Sequence, residues 1–176
     1  LYHHIVLDHT AFDVVLREMQ GHLLSHAAPT AAPMPYRNYV AQTRVGAEDH
    51  EAFFREMLGD IDEPTQVERL GKNEQIQRPL DAQLSQRLRT QARQSGVSAA
   101  SLMHLAWAQV LGKVSGRDNA VFGSVMLGRL QGGEGAERAM GVFINTLPLR
   151  IDLGEHSVRD ALRATHARLS QLLSHE

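Results

Sequence analysis

The chain has 176 residues, a formal net charge of −2, 43% hydrophobic and 22% charged residues and no cysteine. That length suits one soluble globular domain with a real core, and the balanced charge gives no electrostatic case for nucleic acid. The lack of cysteine excludes disulfides, thiolate zinc sites and a cysteine nucleophile and fits the cytoplasm, while no apolar stretch reaches the ~20 residues that cross a bilayer and no signal peptide is visible.

Residues 1–7 read as a short strand entered partway, broken by Asp8-His9-Thr10. Asp8 or Thr10 is placed to cap a helix in which Phe12, Val15, Leu16, Met19, Leu23 and Leu24 recur at helical spacing. Three prolines make 27–35 a linker. Two short helices are expected over 36–45 and 47–58, then a polar, irregular stretch over 59–74 that is the best candidate for a crossing between substructures. A strand is expected over 74–79. Asp81 caps a helix bearing Leu84, Leu88 and Ala92 and closed by Gly96. Ser98 starts another helix with Leu102, Leu105, Ala106, Val110 and Leu111 along it and Trp107 as a core residue. Residues 116–119 form a turn and 120–126 a strand; 128–141 is a glycine-rich loop with room for one helical turn. Residues 142–151 read as a strand interrupted by Pro148. Ser157 and Asp160 open a last helix whose inner face is Val158, Leu162, Leu169 and Leu172. The class is α/β. Leu1 inside a strand, and Ser174-His175-Glu176 directly after a helix, lead to the expectation that the chain is part of something longer.

The densest ionisable cluster is His3-His4 with Asp8 and His9. Neighbours on a strand face opposite ways, so one histidine can face a cleft while the other supports the backbone. A histidine titrates near neutral pH, which suits proton transfer, yet histidines at a strand end also serve simply as local hydrogen-bonding groups. Zinc is disfavoured by the spacing, because His4 and His9 lie five apart across a turn rather than on one helix face. Arg129, after Gly128, is placed either to reach a carboxylate or to sit in solvent. Asn145 within Phe143-Ile144-Asn145-Thr146 either lines a channel or bonds a neighbouring strand. There is no phosphate-loop motif and no G-x-S-x-G.

His3-His4-x-x-x-Asp8 resembles the H-H-x-x-x-D-G motif of the condensation domains of nonribosomal peptide synthetases. The rest of the chain follows that family in order. Tyr36-Arg37-Asn38-Tyr39-Val40 resembles its tyrosine-rich segment, and 98–111 the helix after the crossing between lobes. Residues 116–123 resemble G-x-D-D-V-V-F-G, Gly128-Arg129 matches its G-R, and 141–150 resembles G-x-F-V-N-T-x-x-x-R.

The resemblance implies part of a two-lobed chloramphenicol acetyltransferase-like fold, a mixed sheet with flanking helices. Residues 1–58 would be the end of the first lobe, 59–74 the crossing, and 75–176 the first half of the second lobe. It implies a catalytic His4, acting as general base or positioning the amine. His3, Asp8 and Arg129 would support the motif, with Arg129 in a salt bridge to a structural Asp8. His9 and Asn145 are channel-lining candidates. No metal or directly bound cofactor is implied; substrates arrive on the 4'-phosphopantetheine of carrier proteins, next to an adenylation domain. An epimerisation domain, a coenzyme A-dependent acyltransferase of the same superfamily and a non-catalytic docking piece are the alternatives. The chain departs from the motif where His9 replaces glycine and where Thr10-Ala11-Phe12 replaces tryptophan-serine. The late motifs of the family are absent.

Overall fold

The computed structural model describes residues 3–25, 32–44, 47–63, 65–66, 75–129 and 135–176, apart from the side chains of 47 and 48. In chain order it has α1 (His9–Leu23), α2 (Tyr36–Thr43), α3 (Ala47–Leu58), α4 (Ala82–Gln94), α5 (Ala99–Ser115), β1 (Asn119–Met126), a 3-10 turn (Ala136–Arg138), β2 (Asn145–Asp152) and α6 (Val158–Leu173). The α/β class holds. Among the described residues the sheet is one pair, β1–β2. Leu153 N donates to Asp118 O at 2.7 Å, which sets the end of β2 beside the start of β1 and makes the pair antiparallel. No described helix is long and apolar enough to cross a membrane.

The chain divides into two compact units. The first holds Leu1–Phe53, Val125–Leu147 and Glu176; the second holds Phe54–Ser124 and Pro148–His175. Neither is continuous in sequence, so 125–147 pack with the N-terminal segment, whereas the division at 59–74 keeps them with the later one. Pro64 and 67–74 of that crossing lie outside the described residues, as do 1–2 of the first expected strand, 27–31 of the linker and 130–134 of the glycine loop.

Side-chain caps decide where most helices begin. Asp8 accepts from Ala11 N at α1, Asp81 from Gln83 N and Leu84 N at α4, and Ser98 from Ser101 N at α5. At α6 the Ser157 hydroxyl accepts from Asp160 N and donates to the Asp160 carboxylate at 2.6 Å. α5 ends at Gly116, whose φ of 68° is open to glycine at little cost. In the second unit α5 packs against both α4 and α6. Ser101, fully buried, joins α5 to α6 through His166 Nδ1 at 3.0 Å. His104 joins it to β1, with Nδ1 on Ala100 O and Nε2 on Ser124 Oγ, both at 2.8 Å. The carbonyl requires a proton on Nδ1, so in the neutral ring Nε2 accepts from the serine hydroxyl. The apolar core here is Met57, Ala92, Leu105, Ala108, Leu111, Leu149, Ile151, Leu162, Leu169 and Leu172.

Several expected elements differ. Residues 3–6 form a turn, not a strand, and Ile5 and Val6 stand 78% and 61% exposed. Residues 75–80 form no strand and are exposed. β2 starts at Asn145 rather than at 142, because the backbone of 141–143 is bonded to Asp8 and Tyr36 instead of to a strand. α1 buries Ala11 and Val14, leaving the expected Leu16, Met19 and Leu23 in solvent. Val158 is exposed, and Trp107, expected in the core, is half exposed.

Candidate active site

The His3–Val6 turn is held from within. Val6 N donates to His3 O at 3.0 Å, and Ile5 N donates to His3 Nδ1 at 3.1 Å. An accepting Nδ1 leaves the proton of a neutral His3 on Nε2. His3 is thus bound to its own turn. His4 is exposed on that turn and makes no hydrogen bond among the described residues.

The turn feeds directly into Asp8, which is N-cap and ion-pair partner at once. Asp8 Oδ1 accepts from Ala11 N at 2.8 Å and from Arg129 Nη2 at 2.6 Å, and Oδ2 accepts from Phe143 N at 3.1 Å. Asp8 N donates to Gly141 O at 3.3 Å. The Asp8 side chain is 1% exposed and that of Arg129 10%. Burial alone would push the Asp8 carboxyl up. The hydrogen bonds from Ala11 N, Arg129 and Phe143 N, with the Arg129 charge, outweigh it and hold the group below the usual carboxylate range.

Arg129 spreads its donors over two segments. Nη1 reaches Ala136 O at 2.7 Å and Ala139 O at 3.0 Å, which ties down the 3-10 turn, while Nη2 holds Asp8. Its Cζ lies 4.2 Å from the centroid of the Phe143 ring, a cation–π contact. Nε is buried without a hydrogen-bond partner among the described residues.

An aromatic cluster walls the arginine in. Phe143, fully buried, meets Tyr39 at 4.5 Å and Tyr36 at 5.2 Å between centroids. Tyr36 Oη donates to Val142 O at 2.6 Å. A Cβ at Gly141 would run into the Tyr36 ring. A Cβ at Gly128, where φ is +58°, would collide with Phe143 O. Gly128 N donates to a Glu176 carboxylate oxygen. Burial pushes the Glu176 carboxyl up, partly offset by that bond. Burial, then the charges of Glu176 and Tyr36, push the Tyr39 hydroxyl up.

The structure therefore brings together His3, His4, Asp8 and Arg129, all within one unit. His9 is the first residue of α1, exposed, with Nε2 3.5 Å from Thr10 Oγ1. Its φ is negative, so the position does not need a glycine backbone. Asn145 is exposed, and its Oδ1 accepts locally from Thr146 N at 2.8 Å; a buried amide in need of partners is not what is found. Among the described residues, no group of three or more His, Asp or Glu is placed to hold a metal. Sequence reasoning gave no site role to Tyr36, Tyr39, Phe143 or Glu176. The i, i+3 tyrosine pair was the available signal for two of them.

Comparison with known proteins places these features in context. A family model described as the condensation domain matches residues 1–176. The chain is 46% identical to Malpinin synthetase of Mortierella alpina over 185 residues, covering 100% of the chain and 2% of that protein. It is 30% identical to the nonribosomal peptide synthetase otaB of Aspergillus carbonarius, covering 99% of the chain and 9% of the relative. Among solved structures, the first condensation domain of the CDA synthetase superposes with a TM-score of 0.75 at 23% identity, covering 98% of this chain and 42% of that one. The chain thus spans a small fraction of the synthetases it matches and under half of a solved condensation domain.

Proposed function

The chain belongs to the condensation domain family, and on that premise we propose that it is the part of such a domain that carries the catalytic histidine for amide formation in a nonribosomal peptide synthetase. The substrates are a donor acyl thioester and an acceptor aminoacyl thioester, each borne on the 4'-phosphopantetheine arm of a carrier protein, with an adenylation domain as neighbour. The acceptor amine attacks the donor carbonyl. A C–N bond forms, the C–S bond breaks, and the departing thiol takes the proton lost by the amine.

The observation that carries this reading is the division of labour at the turn. His3 is spent on its own backbone, while His4 stands exposed, with no hydrogen bond among the described residues, on a turn that leads into the buried Asp8–Arg129 pair. His4 then acts as general base or orients the amine, and Asp8 and Arg129 act through the backbone they fix. His9 and Asn145, both exposed, remain candidates to line the substrate path. The lobe assignment (1–58 in the first, 59–74 crossing, 75–176 in the second) belongs to the same reading, as does inactivity of the 176 residues alone.

The test is His4→Ala in the parent synthetase, with peptide product followed by mass spectrometry under carrier-loaded conditions. The expected loss is about 10²–10⁴-fold, the range of general acid–base contributions. Unchanged amide formation would count for a docking piece. Loss of only the epimerised intermediate would make this an epimerisation domain.

A further inference from the structure

Arg129 has to leave β1 in one direction to reach Asp8, Ala136 O and Ala139 O together, and the residue that sets this direction is Gly128. Gly128 is the middle of a three-residue turn. Arg129 N donates back to Leu127 O at 2.6 Å, while Gly128 holds φ at +58°. Turns closed over three residues with a positive central φ are rare and strained. Gly128 is buried, with Phe143 O and the Tyr39 hydroxyl crowding the side where a Cβ would stand. Strained backbone persists only where its surroundings over-determine it, and it gathers at functional sites.

A single side chain holds this turn by its backbone donor. The Glu176 carboxylate, 48 positions away in the chain, accepts from Gly128 N. Glu176 falls in the same compact unit as Gly128, Arg129, Tyr39 and Phe143. A buried N–H needs a partner, and Glu176 supplies it. The carboxylate stays there against its own burial, which pushes its pKa up and is offset by the bond from Gly128 N. We infer that Glu176 is a positioning residue for amide formation: through Gly128 N it fixes the turn that aims Arg129 at Asp8, and through that pair it steadies the turn that bears His4. The inference rests on the catalytic reading of His4. What Glu176 contributes is an acceptor oxygen at a fixed reach, so glutamine can replace it and a shorter side chain cannot.

The test is the single-turnover rate of amide formation in the parent synthetase. Both carriers are confirmed as loaded by mass spectrometry, and each variant is assayed well below its own unfolding temperature. Glu176→Ala and Glu176→Asp are each expected to slow the step about 10-fold or more, and Glu176→Gln to stay within about threefold of the wild type, since a displacement of about 1 Å away from the chemistry can cost 10²-fold. Wild-type speed in Glu176→Ala overturns the inference. So does a Glu176→Gln as slow as the alanine variant, which would make the charge the working part. Should Glu176→Ala fail to fold, the order of Gln over Asp decides alone, and the reverse order overturns the inference. Amide formation that survives His4→Ala removes the catalytic reading itself, whereas formation lost with His4→Ala and kept with Glu176→Ala removes only the role of Glu176.

Discussion

Two arginines anchor carboxylates in the two units, and their surroundings are opposite. In the first unit Arg129 meets a single carboxylate, Asp8, that is almost wholly buried and also receives two backbone N–H groups. In the second unit Arg150 bridges Asp60 and Asp152, both exposed, and reaches Met57 O. The hydrogen bond to Asp60 leads the causes that raise the Arg150 pKa, and the same bond lowers that of Asp60. On paper each arginine carries a salt bridge. The physics differs because water can replace Arg150 at its partners, whereas nothing replaces Arg129 at Asp8. A buried ion pair is thus weak proof of net stability while it is whole, but removing one member strands the other.

The largest effect is expected at Arg129. Arg129→Ala in the intact condensation domain should cost about 3–5 kcal/mol of unfolding free energy, the range for an uncompensated buried charge. Chemical denaturation measures this, and a loss comparable to that of an exposed pair would erase the contrast. The next effect is in acid. Asp8 has a folded pKa below its unfolded value, so its stabilisation is complete above the unfolded carboxylate pKa of ~3.9 and is lost as pH falls through the lower folded value. Stability against pH should therefore fall less steeply in acid for Asp8→Asn than for the wild type, from an already lower plateau. Equal slopes would show that Asp8 does not titrate with folding. The smallest effect is expected at Arg150. Arg150→Ala should lower Tm by much less than Arg129→Ala, and raising salt to about 1 M should shrink the Arg150 difference while leaving that at Arg129 nearly intact, since exposed charges are screened and buried ones are not. Matching salt responses at the two arginines would refute the distinction.

Much of this was readable in the residues. Asp81, Ser98 and Ser157 announced their helices, and Gly96 and Gly116 their ends, because capping is local chemistry. The Asp8–Arg129 pairing was legible only through ordered motifs, since its members lie 121 positions apart. Strand readings failed where a strand depends on a neighbour. Ile5-Val6-Leu7 has the composition of one, yet Ile5 N and Val6 N bond back to His3. Residues 142–144 have the apolar character too, but Phe143 N is committed to Asp8 and Val142 O to Tyr36. Trp107 was misplaced for a different reason. Its helix is apolar on two opposite faces, with Gln109 and Lys113 between them, so periodicity could not say which side is buried against the described residues.

The reach of Asp8 along the chain also has a consequence for how the site comes into being. Its partners Arg129 and Phe143 follow it by 121 and 135 residues. Contacts this distant close late, after local helical hairpins have formed, because the entropy of the intervening loop must be overcome first. At ribosomal speeds, the stretch from Asp8 to Phe143 takes on the order of ten seconds to emerge. Until then Asp8 can cap α1 but has no counter-ion, and the histidine turn has no floor. The order of synthesis thus makes the histidine turn one of the last parts of this segment to be fixed, so the nascent chain forms its helices well before the Asp8–Arg129 pair closes beneath that turn.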